Sequence, residues 1–77
     1  MKTTELIERV KQLDLETEYF NHEILISDKE GSTICSIARN QRFQLDIDYY
    51  AVKGELLSIV LQYSSTPVDE RVDKDGY

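Results

Sequence analysis

The chain reads as an α+β protein: a two-layer sandwich in which two helices cover one face of an antiparallel meander of three or four strands, in the order α-β-β-β-(β)-α. Three observations predict it. Apolar residues recur at helical spacing at both ends, as Leu6, Ile7, Val10 and Leu13 and as Val52, Leu56, Ile59, Val60 and Tyr63. Between them, Phe43, Leu45 and Ile47 alternate with Gln44, Asp46 and Asp48. Successive side chains of a strand point to opposite faces, so this stretch predicts a half-buried strand over 42–48 that cannot slip by one residue without exposing its apolar set. The connections between the middle apolar runs are also too short for crossovers.

Taken in order, Thr3 or Thr4 is the expected N-cap of the first helix, because a hydroxyl there accepts a hydrogen bond from an unpaired amide. Glu5 and Arg9 can pair one turn apart, and the helix should end near Leu13 or Asp14. Residues 15–20 alternate as an edge strand with acids on its wet side, followed by a tight turn at Asn21-His22. Glu23–Asp28 is a firmer strand. Lys29-Glu30-Gly31-Ser32 forms a hairpin loop in which Gly31 supplies a positive φ. Thr33–Arg39 is the next strand, although Ile34, Cys35, Ile37 and Ala38 do not all fall on one face. Asn40-Gln41 is a short turn before the 42–48 strand. The second helix runs from the Val52 region to about Ser64, with Gly54 arguing against an earlier start. Thr66 as N-cap, Pro67 at N1 and Asp69 at N3 predict a further helical turn.

The 77 residues make one domain. It should span 1–72, with 73–77 a frayed tail. So small a core profits from a disulfide, a metal or a partner subunit. Cys35 is the only cysteine and His22 the only histidine, so an internal disulfide is excluded, no metal or other cofactor is expected, and self-association as a homodimer is the staple left open. No apolar run approaches a membrane span, no secretory leader is visible, and the lone cysteine fits the cytoplasm.

The net charge is −6, which disfavours direct nucleic-acid binding. Residues 1–22, 23–48 and 49–77 each carry three bases and five acids, so the chain has no acidic block.

No catalytic constellation emerges, and the chain is not expected to be an enzyme. Asp46 and Asp48 could do acid–base work if one were desolvated, but a solvated sheet face explains them more simply. His22 reads as a turn residue. Cys35, between Ile34 and Ile37, reads as a small buried apolar residue. Asp73-Lys74-Asp75-Gly76 falls short of a calcium loop, since Arg71 stands where an acid is needed and the bidentate Glu is missing. Tyrosine offers large contact area with a polar tip, so Tyr49 and Tyr50, beside Asp46 and Asp48, are the expected protein-binding residues. One of the two tyrosines could still enter the core while the other lies flat on the surface.

Four segments carry a resemblance: Thr4-Glu5-Leu6-Ile7, Ser36-Ile37-Ala38-Arg39-Asn40, the strand running into Asp48-Tyr49-Tyr50, and Tyr63-Ser64-Ser65-Thr66-Pro67-Val68-Asp69-Glu70-Arg71. Together they resemble small proteins from prophages and phages of low-GC Gram-positive bacteria, which share a Tyr-x-x-Thr-Pro-x-(Asp or Glu)-Glu-Arg ending. The resemblance covers most of the chain, and its motifs are structural punctuation. It implies a cytoplasmic accessory protein of a phage-carrying cell and no particular activity. The expected role is binding of a host or phage protein. An acidic nucleic-acid mimic that inhibits a host defence or nucleic-acid-binding protein and a structural homodimer are the alternatives.

Overall fold

A computed structural model describes residues 1–72, and the expected frayed tail at 73–77 lies outside the described residues. The elements are helix α1 (Thr3–Gln12), strands β1 (Glu16–Phe20), β2 (Glu23–Ser27), β3 (Thr33–Ala38) and β4 (Leu45–Ile47), helix α2 (Gly54–Ser65), and a 3-10 turn at Val68–Glu70. The strands form one antiparallel sheet in the order β1-β2-β3-β4. This is the four-strand form of the expected meander.

Register sorts the strands into two faces. Tyr19, Ile24, Ile37 and Leu45 form one cross-strand row, and Thr17, Ile26, Cys35 and Ile47 form the next. From these rows Ile24, Ile26, Cys35 and Ile37 join Leu6 and Val10 of α1 and Leu56, Ile59, Val60 and Tyr63 of α2 in one core cluster. Both helices therefore cover the same sheet face. The irregular pattern of β3 has a local cause. The β2–β3 register shifts at Ile26/Ser27, pairing Ile26 with Cys35 and Ser27 with Thr33. The skipped residue, Ile34, enters the core together with its neighbour Cys35. A bulge of this kind lets two consecutive side chains serve one face.

The fourth strand is shorter than its alternation predicts, covering 45–47 rather than 42–48. Phe43 adopts a left-handed φ of 60°, and its side chain stands 66% exposed instead of joining Leu45 and Ile47. The competing attraction is the C-terminal end of α2. A helix leaves its last four carbonyls without intrahelical donors, and α2 has no base in its last turn. Its own last side chains, the residue that follows and another segment supply the donors. Ser65 Oγ and Thr66 Oγ1 donate to the Gln62 carbonyl, and the Thr66 amide to that of Tyr63. The Phe43 amide donates to Ser64 O, and the Arg42 guanidinium donates twice to Ser65 O, at 2.9 and 2.6 Å. Residues 42–43 thus leave the sheet to close the helix.

The helix starts also differ from expectation. Lys2 occupies the N-cap position of α1, with no side-chain cap. Thr3 is the first helical residue and is buried, and its hydroxyl shares a 2.7 Å hydrogen bond with Tyr63 Oη, 60 residues away. That buried tertiary bond outweighs a solvent-exposed cap. Thr66 likewise closes α2 rather than opening the next turn, which is capped by Pro67. Gly54 is the first residue of α2 and holds a φ of 61°, which agrees with a helix that starts no earlier. Val52 is buried in the core ahead of it. Glu5 and Arg9 form the expected ion pair, at 3.8 Å. Asn21 in the β1–β2 turn and Gly31 in the next hairpin take positive φ.

Candidate interaction surface

The sheet face opposite the helices is uncovered. Its central row is Glu18, Leu25, Ser36 and Asp46, flanked by Phe20, Glu23 and Ala38 on one side and by Glu16 and Ser27 on the other. Glu16, Glu18, Phe20 and Asp46 are exposed, and Glu23, Leu25 and Ser36 are half-buried. No lysine or arginine occurs in any strand of the described sheet. Four carboxylates therefore share one face around an apolar centre of Leu25 and Phe20.

The bases go elsewhere. Lys2 donates to the Val72 carbonyl, and Lys29 pairs with Asp14 in the loops. Arg39 lies over the Tyr19 ring at 4.9 Å, and Arg42 over the Phe43 ring at the same distance. A charge that is even along the chain is therefore uneven in space, and the acidic concentration absent from the sequence is built by strand pairing.

Asp46, Asp48, Tyr49 and Tyr50 all reach the surface, where the sheet turns toward α2. Asp46 sits on the open face opposite Ser36. Asp48 lies just past β4 and extends its pairing through its amide, which donates to Ile34 O. Its carboxylate accepts the Tyr50 amide at 2.9 Å, and its carbonyl accepts the amides of Ala51 and Val52. This side-chain-to-backbone turn holds the segment in shape. Tyr49 and Tyr50 are 86% and 92% exposed. Neither enters the core and neither is flattened against the surface, because the turn carries both rings outward. A depression of about 180 Å³ runs beside them between β3 and β4, lined by Thr33, Ser36, Asp46, Ile47 and Asp48 among others.

Cys35 is buried at 2% exposure. Burial, with a further contribution from the negative charge of Asp46, pushes its thiol from an ordinary 9.0 up to about 12. The nucleophile is the thiolate, so this sulfur is inert at neutral pH. His22 is exposed in the β1–β2 turn. Among the described residues no group of three or more His, Cys, Asp or Glu side chains is placed to hold a metal, and no helix is long and apolar enough to cross a membrane.

One heavily bonded residue was not legible from the sequence. Arg71, in a polar C-terminal segment, is only 1% exposed. Its guanidinium donates to the carbonyls of Thr66, Ala38, Arg39, Gln41 and Ser64 at 2.9–3.2 Å, and it lies 4.6 Å from the centre of the Tyr63 ring. It joins the end of β3, the loop before β4 and the end of α2, and so fixes the entry into β4. The grouping of Glu16, Glu18 and Glu23 on one face was within reach of the sequence. Alternation puts Glu16 and Glu18 together, and the two-residue turn at Asn21-His22 pairs Phe20 with Glu23.

Compared with known proteins, the chain matches no family model, no curated protein and no solved structure.

Proposed function

We propose that this chain is a non-enzymatic, cytoplasmic accessory protein of phage origin that binds a host or phage protein. The observation that carries the reading is the uncovered acidic sheet face that runs into two almost fully exposed tyrosines. Exposed aromatic side chains beside a polar rim are the usual makeup of a protein-binding patch. The contact set is Asp46, Asp48, Tyr49 and Tyr50, with Leu25 and Ser36 behind them on the same face. The partner should be basic, because carboxylates crowded on one side favour a positive surface and speed its encounter. A homodimer through this face is disfavoured, because it would set carboxylates against carboxylates.

The test is retention of a partner from a phage-host lysate on the immobilised chain, with nuclease present. The wild-type chain should hold one protein in stoichiometric amount. A variant with Asp46→Ala, Asp48→Ala, Tyr49→Ala and Tyr50→Ala should lose it while keeping its circular dichroism spectrum, since all four side chains are exposed. Retention by the quadruple variant would overturn the assignment, and turnover of a substrate by the purified chain would overturn the non-enzymatic reading.

The concentration of acid on one face also favours a second reading, in which the chain mimics nucleic acid and occupies a basic groove. In that case duplex DNA competes for the same partner and affinity falls steeply with salt. A complex indifferent to both would leave the first reading standing alone.

A further inference from the structure

A second surface lies at the other edge of the sheet, and it does not depend on the reading of Asp46, Asp48, Tyr49 and Tyr50. In the described sheet β1 has β2 on one side and no strand on the other. An edge strand offers its outer backbone groups to any extended chain of suitable side-chain pattern. Helix α1 does not close this edge. Between α1 and β1 runs an open groove of about 680 Å³, lined by Thr4, Ile7, Glu8, Lys11, Thr17 and Tyr19 among others. That volume lies within the roughly 300–1,000 Å³ of ligand sites.

The two sides of β1 differ in chemistry. Glu16 and Glu18 are exposed on the open face. Thr17 and Tyr19 turn toward the groove, where the half-buried Ile7 supplies an apolar wall. The pattern disfavours a second copy of the chain in the registers that pair the most of β1. Antiparallel self-pairing centred on Glu18 sets that residue opposite itself, and centring on Thr17 sets Glu16 opposite Glu18. Like charges directly opposite destabilise a strand pair, whereas opposite charges support it.

We infer that the outer edge of β1 binds an extended segment of a basic partner protein by strand addition, with lysine or arginine at alternate positions beside Glu16 and Glu18 and apolar residues between them entering the α1–β1 groove. Backbone pairing holds the segment, and the alternation sets which segments fit.

The isotope-labelled full chain can be titrated with a short synthetic peptide of alternating lysine and valine and followed by amide resonances. The expected result is saturable binding, with shifts centred on residues 16–20 and Ile7 and none at 45–47. Methylating the peptide's alternate backbone nitrogens on its pairing edge should abolish binding. A Glu16→Lys, Glu18→Lys variant should bind at least about tenfold more weakly, which corresponds to about 1.4 kcal/mol. The quadruple Asp46, Asp48, Tyr49 and Tyr50 alanine variant should bind the peptide unchanged, so failure at one surface is separable from failure at the other. Absence of saturation in the millimolar range would overturn the proposal. So would equal binding by the methylated peptide, or shifts centred on Leu25, Ser36 and Asp46, because each indicates general attraction to the acidic face without backbone pairing. The methylated-peptide comparison uses the unaltered chain, so it decides the matter even if the charge-reversed variant fails to fold.

Discussion

Arg71 is a charged side chain buried without a carboxylate partner among the described residues. Its charge is met by five backbone carbonyls and the face of Tyr63. Hydrogen bonds to a charged group contribute roughly 1.5–3 kcal/mol each, and a buried group left without its partner costs about 1–3 kcal/mol. Arg71→Met fits the space but strands several acceptors at once, so it should destabilise the domain by roughly 3 kcal/mol or more, within the range for broken buried networks. Arg71→Lys should recover only part of this, since an ammonium lacks the planar fork that reaches several carbonyls together. Urea titration of the two variants checks both. Cys35 gives a prediction in pH. The folded chain keeps this thiol protonated up to about 12, whereas an unburied one releases its proton near 9.0. Between those values the unfolded chain binds fewer protons, so stability falls as pH rises, and below 9.0 this contribution is constant. The alkaline loss of stability should be shallower in Cys35→Ala than in the wild type.

At the scale of elements, local pattern and tertiary demand compete. The Leu6-Val10 and Leu56-Ile59-Val60-Tyr63 stripes found their helices because burial on one side of a helix is a property of spacing alone. The meander was legible for a related reason, since short polar connections between apolar runs leave an antiparallel sheet little choice. What the sequence did not show is where an element yields to a neighbour. The alternation through Phe43 describes a strand, yet the open carbonyls of α2 draw Arg42 and Phe43 away from the sheet. Thr3 reads as a cap, yet a hydroxyl on Tyr63 claims it. The candidate surface was legible in part. Asp46, Asp48, Tyr49 and Tyr50 lie next to one another in the chain, whereas their grouping with Glu18 on one face required knowledge of strand pairing. Gly54 is a case where local chemistry decides. An added Cβ would meet no atom within 4 Å, but the φ of 61° is one that L side chains rarely adopt. Gly54→Ala should therefore cost about 1–2 kcal/mol from backbone strain alone. In a domain of this size that lowers the melting temperature by roughly 4–8 °C for each kcal/mol. Differential scanning calorimetry would show it.

For the whole molecule, the principal feature is that residues 1–3 and the segment 66–72 hold each other. The Met1 amino group donates to Thr66 Oγ1, Lys2 Nζ to the Val72 carbonyl and the Thr3 amide to the Arg71 carbonyl. The first two bonds join residues 65 and 70 positions apart, close to the full length of the chain. By contrast, the sheet grows from neighbours in sequence, one hairpin after another. Closing so long a loop carries an entropic cost that local hairpins do not. The clasp should therefore form late, after the transition state for folding has been crossed. Interactions missing from that transition state govern how fast a protein comes apart rather than how fast it assembles. The clasp is in this sense a brake on unfolding. Stopped-flow measurements on Thr66→Val, which removes the acceptor of the Met1 amino group, should show faster unfolding with refolding almost unchanged, and the lifetime of the folded domain would rest on contacts that take no part in building it.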